Sequence, residues 1–318
     1  MRVLVLGISG AVARRVALRL WRDGHQVEGV DARGWPGAPP GIPVHRLDLV
    51  KRATEDLFRT RRPEVVIHQA SVASQTASGE QRHRLNLGGT QAVFEHCVAH
   101  GVKHCLFVGR HTFYGAAPNA PLFHRESEPP KELSRNADLV DLVAADLYAG
   151  TQLWRFPELV TTVLRVCYTL GPSGRGTLGS FLRGPRVPTV LGHDPLFQFL
   201  HEDDATEAIV RTVEKRPRGV FNVAGPQPVP LSILIRRAGR HTLPLPAAML
   251  GRLQGRLGLP ALPPGAANHL MYPIVVDGAA FVRETGFQHA YDEVMTLEDF
   301  RRSQPLIARG SAWLPSWR

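Results

Sequence analysis

The 318-residue sequence is poor in lysine, cysteine and tyrosine, with four, three and five of each. Its cysteines, Cys97, Cys105 and Cys167, form no Cys-x-x-Cys pair, and an odd number suits neither a disulfide framework nor a structural zinc site. We therefore expect free buried thiols, no bound metal and a reducing cytoplasmic location. No stretch approaches the roughly 20 apolar residues of a membrane span, and the N-terminus lacks the features of a signal peptide, so membrane contact is not expected.

Positive charge is carried almost entirely by arginine. Four lysines accompany 34 arginines, and the formal net charge is +10. The arginines are scattered rather than grouped with aromatic residues in a known module, so nucleic acid is not an expected partner. The charge is compatible with a small anionic substrate. A hydrophobic fraction of 43% and a charged fraction of 21% are typical of a globular chain and exclude wholesale disorder.

The first half of the chain alternates short apolar runs with helical patterns, which predicts a parallel sheet with crossover helices. Because predicted strands such as Val3–Leu6 are fully apolar, both faces of the sheet should be covered, giving an α/β fold with a doubly wound parallel sheet. The predicted strands are Val3–Leu6, Gln26–Asp31, Val44–Leu47, Glu64–His68, His104–Val108 and Val160–Val166. The predicted helices are Ala11–Asp23, Ala53–Arg59, Arg84–Ala99 and Asp138–Arg155.

Composition changes after Gly171-Pro172, where glycine, proline and arginine become frequent and the predicted elements shorten. We therefore predict two domains: residues 1–170, and a smaller C-terminal α+β lobe over residues 171–318 that holds the substrate. A segment near residues 197–225, with strands at Phe197–Leu200 and Val220–Val223, is expected to return to the first domain.

A glycine-containing turn, Gly7-Ile8-Ser9-Gly10-Ala11-Val12-Ala13, joins the first strand to the first helix. Glycines in this context allow a tight turn and the close approach of a pyrophosphate, which the helix N-terminus attracts. Asp31, at the end of the second strand, is placed to hydrogen-bond an adenosine ribose and to repel a 2′-phosphate. The pattern therefore predicts NAD rather than NADP, although Arg33 could receive a 2′-phosphate.

At these positions the sequence resembles the extended short-chain dehydrogenase/reductases, and within them the NAD-dependent epimerase/dehydratase family. The resemblance covers nearly the whole chain and implies a Rossmann fold, an NAD cofactor and a nucleotide-sugar substrate. Besides the glycine turn, it rests on Asp48-Leu49, His68-Gln69-Ala70-Ser71, Asn86-Leu87-Gly88-Gly89-Thr90, Phe113-Tyr114-Gly115, Leu164-Arg165, Leu170-Gly171-Pro172, Phe199-Leu200-His201-Glu202-Asp203-Asp204 and Phe221-Asn222-Val223-Ala224-Gly225.

The turn and the resemblance together give a set of candidate cofactor-binding residues, which follow the carboxyl edge of the predicted sheet. They are Gly7, Ser9, Gly10, Ala11, Val12, Asp31, Arg33, Asp48, Leu49, Gln69, Ala70, Ser71 and Asn86. The resemblance also implies that arginines in or near the substrate segments could meet a diphosphate. They are Arg165, Arg175, Arg183 and Arg186.

The sequence departs from the family at its catalytic pair. Family members carry Tyr-x-x-x-Lys on a long helix and a Ser or Thr at the end of the fifth strand. The residues four positions after the five tyrosines are Pro118, Gln152, Pro172, Val276 and Met295, so the chain contains no Tyr-x-x-x-Lys. By alignment, Asp138 stands at the tyrosine position, Leu142 at the lysine position and Arg110 at the Ser/Thr position.

Four residues near these positions are candidate replacements: Arg110, His111, Thr112 and Asp138. His111 belongs to a residue type with an ordinary pKa of about 6.5, which suits acid/base work, and Thr112 offers a hydroxyl. Asp138 is either a weak base or a solvated carboxylate, and His111 is either a catalyst or an ordinary loop histidine. Alternatively, Arg110 and Asp138 could form a salt bridge, which would give both residues a structural role.

Two functional hypotheses remain open. The first is an epimerase, dehydratase or oxidoreductase that acts on a nucleotide sugar or similar anionic substrate with a non-standard active site. The second is a non-catalytic NAD(H)-binding sensor or scaffold protein. The resemblance also suggests a homodimer formed through two helices of the first domain.

Overall fold

A computed structural model describes residues 1–70, 79–131, 137–253 and 266–306; within them, only the backbone of residues 137–139, 251–253 and 266 is described. Its strands are β1 (Arg2–Leu6), β2 (Gln26–Val30), β3 (Val44–His45), β4 (Val65–His68), β5 (His104–Arg110), β6 (Val160–Val166), β7 (Tyr168–Leu170), β8 (Arg186–Val190), β9 (Leu196–Phe197), β10 (Phe199–His201), β11 (Gly219–Val223), β12 (Val229–Pro230) and β13 (His241–Leu245). Its helices are α1 (Ala11–Arg22), α2 (Arg52–Arg61), α3 (Gly79–His83), α4 (Gly89–Ala99), α5 (Ala137–Arg155), α6 (Gly176–Phe181), α7 (Glu202–Lys215), α8 (Leu231–Arg237), α9 (Ala247–Leu253), α10 (Ala266–His269), α11 (Ala279–Thr285) and α12 (Glu293–Ser303).

Seven parallel strands form the main sheet, in the order β11-β6-β5-β4-β1-β2-β3. The order runs outward in both directions from β1 and β4, which confirms the doubly wound α/β fold. The last strand, β11, follows α7 and pairs in parallel with β6, from Gly219 beside Thr162 to Val223 beside Val166. The segment near 197–225 therefore contributes a strand to the main sheet, while the domain boundary at residue 170 remains a prediction.

Alternating side chains of the central strands enter two different cores. Val3 and Val5 of β1 pack on the face that also receives buried side chains of α1 and α7. Leu4 and Leu6 pack on the opposite face, against side chains of α2, α4 and α5. This double burial explains the uninterrupted apolar runs Val3–Leu6 of β1 and Val65–Ile67 of β4. It also leaves the carboxyl edge of the sheet as the place where polar side chains can gather.

The C-terminal part of the chain has a separate core made by short elements, including α6, α8, α12 and the strand pairs β8–β13, β9–β12 and β7–β10. The sequence did not reveal β8 and β13, because each contains a proline, Pro188 and Pro244, where a central strand would need an N–H donor. They form an isolated parallel pair, in which a missing donor is tolerated.

The helix predicted at Arg84–Ala99 is longer and irregular. It begins as α3, passes through a π-helical turn at Arg84–Gly88 and continues as α4. Among the described residues, no helix has the length and apolarity needed to cross a bilayer.

Candidate functional site

The turn between β1 and α1 has the geometry of a phosphate cradle. Gly7 has φ +87°, and a Cβ there would lie 2.7 Å from the backbone N and Cα of Ala70 at the end of β4. Its N–H donates to the carbonyl of Val30, and the N–H of Gly10 donates to the carbonyl of Gly7. Gly10 is the N-cap of α1 and provides no side-chain cap. The N–H groups of the first helical turn, starting with Ala11 and Val12, are therefore available to bind an anion.

Asp31 lies directly after β2 and is fixed on both carboxylate oxygens. The Ser9 hydroxyl donates to one oxygen at 2.6 Å, and the backbone N–H of Arg33 donates to the other at 2.9 Å. Burial raises the pKa of Asp31, but these hydrogen bonds outweigh it, so its pKa lies below the ordinary value. Asp31 is therefore an ionised acceptor beside the turn, as a ribose hydroxyl requires, while the side chain of Arg33 is exposed.

Further candidate cofactor residues lie along the same sheet edge. Gln69 and Ala70 follow β4 directly, and the Oε1 atom of Gln69 is buried with no hydrogen-bond partner in the described part of the chain. Asn86 is buried in the π-helical turn, where its carbonyl accepts the Thr90 hydroxyl. A dinucleotide along this edge would fit the uncapped helix, the ionised Asp31 and the orphaned Gln69 oxygen.

The remaining members of the predicted cofactor set differ in their surroundings. The Asp48 carboxylate accepts a hydrogen bond from the Arg84 guanidinium at 2.9 Å. The Leu49 side chain is buried close to Gly89. Ser71 lies outside the described residues. Arg14, which the sequence did not single out, stands beside the turn with its guanidinium 5.4 Å above the Trp35 ring. Its Nε atom is buried with no hydrogen-bond partner among the described residues, and its charge lies close enough to Asp31 for that carboxylate to act on its pKa, which burial lowers.

The end of β5 brings Arg110, His111 and Thr112 to the carboxyl edge. His111 is 1% exposed, and burial lowers its pKa to about 3, with the neighbouring His269 adding to the effect. An imidazole with this pKa is neutral at pH 7 and is a weak base, and the catalytic role of His111 remains a prediction. Burial also lowers the pKa of Arg110. Thr112 is half-buried in a 3₁₀ turn that ends at Tyr114.

Helix α5 carries the positions at which the family has its catalytic pair. Asp138 lies in its first turn, and its side chain is outside the described residues, so the pairing with Arg110 stays a prediction. Leu142 is half-buried. Next to it, Asp141 is buried and lies 3.5 Å from the His83 ring nitrogen and 3.8 Å from Arg82.

The structure argues against Arg165 as a substrate ligand. Its guanidinium is buried, bonds Asp146 at 2.8 Å and lies 3.4 Å from the Phe113 ring centroid. Another of its nitrogens donates to the Tyr114 hydroxyl at 3.0 Å and to the Glu126 carbonyl at 3.2 Å. Burial lowers the pKa of Arg165, but Asp146 raises it above the ordinary value, so the pair is ionised and structural. These contacts give Arg165 a structural role, and its contact with a substrate remains a prediction.

The other three predicted substrate arginines are exposed. Arg175 is the N-cap of α6, close enough to Arg14 for its charge to lower the pKa of Arg14, after the larger effect of burial. Arg183 borders a cavity of about 310 Å³ between α6 and α12. Arg186 begins β8. Their contact with a substrate remains a prediction.

Sequence reasoning missed a group of aromatic side chains beside His111. The Tyr168 ring meets the His111 ring edge-on at 4.4 Å and stacks on Phe197 at 5.7 Å. Its hydroxyl lies 3.5 Å from Nδ1 of His269, 101 positions away. Tyr168, Phe197 and His269 line one small cavity together with Leu196, Tyr272 and Ile274. The available signal was the position of Tyr168, two residues after β6, at the sheet's carboxyl edge.

Comparisons with known proteins agree with this geometry. A model of the NAD dependent epimerase/dehydratase family matches residues 3–224. A Streptomyces protein named 3-diazoavenalumate denitrifying reductase is 30% identical over 277 residues, which covers 80% of this chain and 88% of that protein. An uncharacterized protein of Mycobacterium tuberculosis strain H37Rv is 28% identical over 267 residues, covering 82% of this chain and 71% of that protein.

Solved structures share the fold. The chain is similar to MoeE5 in complex with UDP-glucuronic acid and NAD, with a TM-score of 0.77 and 21% identity. The match covers 95% of this chain and 98% of MoeE5. At this identity, the likeness establishes the doubly wound architecture, and the chemistry has to be argued from the residues themselves.

Proposed function

Because the chain belongs to the NAD-dependent epimerase/dehydratase family, we propose that it is an NAD(H)-dependent hydride-transfer enzyme with a non-standard active site. The observation that carries this proposal is a contrast within one sheet edge. The turn at Gly7 and the ionised Asp31 have the geometry that a dinucleotide needs, whereas the sequence lacks the Tyr-x-x-x-Lys pair with which the family carries out acid/base catalysis. When bound, NAD(H) would supply the donor or acceptor of the hydride.

The proposed cofactor contacts follow from the geometry of the turn. The first-turn N–H groups of α1 would hold the pyrophosphate, with Arg14 beside them. Asp31 would accept a ribose hydroxyl, oriented by Ser9 and the Arg33 backbone. Its negative charge supports NAD over NADP, because a 2′-phosphate at that place would be repelled.

The absence of the Tyr-x-x-x-Lys pair limits which reactions the chain can catalyse. Oxidation of a sugar hydroxyl requires a base to take the hydroxyl proton, and a neutral His111 with a pKa of about 3 is a poor base at pH 7. A nucleotide sugar, the substrate class that the resemblance implies, is supported by the UDP-glucuronic acid in the MoeE5 complex. Turnover of such a substrate would need Asp138 or Thr112 to replace the absent tyrosine.

A second candidate reaction avoids that requirement. The relative that is 30% identical carries the name of a denitrifying reductase for a diazo compound. Delivery of hydride to a carbon that bears a diazonium group forms a C–H bond, breaks the C–N bond and releases N₂, with no proton taken from a hydroxyl. The lack of Tyr-x-x-x-Lys is no obstacle to this reaction, which supports reduction over epimerisation for this chain.

The proposal can be tested by isotope transfer. The full chain is incubated with NADH deuterated at C4, in separate pro-R and pro-S forms, and with a panel of aryl diazonium salts and of UDP-sugars that carry a ketone in place of one ring hydroxyl, so that each substrate can accept a hydride. Mass spectrometry of the products, against a no-protein control, reports deuterium that has been transferred. Transfer to a UDP-sugar favours the first substrate class and transfer to the aryl carbon the second. NADH binding with no transfer across the panel would favour the non-catalytic sensor or scaffold.

A homodimer and a cytoplasmic location belong to the same proposal. Val140, Leu147 and Trp154 stand seven residues apart on α5 and are 38%, 43% and 87% exposed, which gives the helix an apolar stripe suited to a second copy. The three cysteines are free and buried, which suits a reducing compartment.

A further inference from the structure

The loop that leads into α6 is tied to the N-terminal part of α1. The hydroxyl and the backbone N–H of Ser173 both donate to the buried Glu202 carboxylate, which also pairs with Arg15 of α1 at 3.2 Å. The Ser173 hydroxyl in turn accepts the backbone N–H of Arg175 at 3.1 Å. These contacts hold a loop from the second half of the chain close to the helix that follows the glycine-containing turn.

The same loop is a turn that is fixed before any ligand binds. Gly174 has φ +60°, a left-handed conformation that favours glycine, and its N–H donates to the Gly171 carbonyl at 3.1 Å. Gln304, which directly follows α12, donates to the Pro172 carbonyl at 3.0 Å. The backbone that carries Arg175 is therefore already ordered, which reduces the entropy that binding through this residue would cost.

Arg14 and Arg175 bring two positive charges to this place. The charge of Arg175 lowers the pKa of Arg14, after the larger effect of burial, and Asp31 acts in the opposite direction. Asp31 is engaged by Ser9 and by Arg33, whose guanidinium lies 3.4 Å away. Neither Arg14 nor Arg175 forms a salt bridge with a carboxylate of the described ranges. Two cations that repel each other without a counter-charge favour the binding of an anion.

We propose that Arg175 contacts the cofactor rather than the substrate, and that its guanidinium and that of Arg14 hold the dinucleotide pyrophosphate together with the first-turn N–H groups of α1. This inference rests on the proposed function, because it presupposes that the glycine-containing turn binds NAD(H). It makes the loop at residues 171–175 part of the cofactor site. A guanidinium suits this task because it can donate two parallel hydrogen bonds to phosphate oxygens.

The experiment measures NADH binding to the full chain by calorimetry, with no substrate present. We expect Arg175→Gln to weaken NADH binding by about fivefold and Arg14→Gln by about tenfold. Arg175→Lys should lose less affinity than Arg175→Gln, because it retains the charge. Arg237 of α8 is exposed as well, so Arg237→Gln removes the same charge elsewhere and should bind NADH as the parent does.

Ionic strength distinguishes a charge contact from a disturbed loop. Salt screens the attraction between Arg175 and a pyrophosphate, so the difference between the parent and Arg175→Gln should shrink from about fivefold at about 50 mM NaCl to about twofold at about 300 mM. A variant that only distorted the loop would show the same difference at both concentrations. Circular dichroism and the urea midpoint check that each variant is folded.

The outcomes separate the proposed function from this inference. If the parent does not bind NADH, the proposed function fails. If the parent binds NADH, any of three results overturns the role of Arg175. Arg175→Gln may bind NADH as the parent does, which is the result for a residue that serves only a substrate. Its loss of affinity may be equal at both salt concentrations, or Arg237→Gln may lose as much.

Discussion

Replacement of Arg165 by methionine should lower the free energy of unfolding by about 3–5 kcal/mol. The side chains of Arg165 and Asp146 are 6% and 3% exposed and are joined at 2.8 Å, so the variant leaves a carboxylate buried without its cation. The Tyr114 hydroxyl and the Glu126 carbonyl lose a donor as well. No water can easily reach the gap, because Phe113 covers the guanidinium.

Urea unfolding followed by circular dichroism at pH 7 measures the loss, and a second variant identifies its cause. Arg165→Met/Asp146→Leu removes both charges and should recover most of the stability, since the penalty comes from the unpaired carboxylate rather than from the missing contact. The exposed Arg175→Met is the matched control, expected within about 0.5 kcal/mol of the parent. A loss below about 1 kcal/mol for Arg165→Met, or no recovery in the double variant, would refute the structural role.

Three further predictions concern stability and assembly. Arg240 donates to the carbonyls of Leu182, Ala238 and Gln304, which directly follow α6, α8 and α12 as their C-caps. Arg240→Met should therefore lower the free energy of unfolding by about 3 kcal/mol in urea, and an unchanged midpoint would contradict this role. Burial lowers the pKa of His68 and of His104 to about 4, so the unfolded chain binds protons first as pH falls below about 6.5, and stability should drop by about 2 kcal/mol per histidine between pH 7 and pH 5. His104→Gln should flatten that pH dependence, and a slope equal to the parent's would count against it. Trp154→Glu should convert a dimer to a monomer in analytical ultracentrifugation at about 10 μM, and a dimer that persists would remove α5 from the interface.

Much of the fold could be predicted from the sequence because its central strands contain short apolar runs that alternate with helical patterns. A short apolar run such as Val3–Leu6 predicts a strand that is buried on both faces of a sheet. All the predicted strands of the main sheet occur, and β3 is shorter than expected. The β8–β13 pair was hidden by its prolines, since proline normally marks a loop or an edge. The π-helical turn before α4 has no signature in hydrophobic periodicity.

The cofactor site was more predictable than the substrate site, for a physical reason. Gly7, Gly10 and Asp31 lie within one local unit, β1–α1–β2, so their spacing in the sequence is enough to predict their relative positions. The partners of Arg165 and Tyr168 come from distant parts of the chain. Arg165 resembles a substrate ligand in sequence, and only the packing of α5 against β6 reveals Asp146 beside it.

The protonation state of His111 also depends on packing. Its residue type suggests a base that titrates near neutral pH, but an imidazole enclosed by the end of β5, Tyr168 and His269 is neutral over that range. Burial, which sequence does not specify at a single loop position, decides the chemistry here.

The central claim is that the chain retains a dinucleotide site while it lacks the family's acid/base pair. Calorimetric titration of NADH into the parent protein, Asp31→Ala and the exposed control Asp56→Ala tests it most directly. We predict micromolar or tighter binding by the parent and the control, and a loss of about tenfold or more in Asp31→Ala, because the ribose hydroxyl loses an ionised acceptor. No NADH binding by the parent, or equal affinity in Asp31→Ala, would contradict the account.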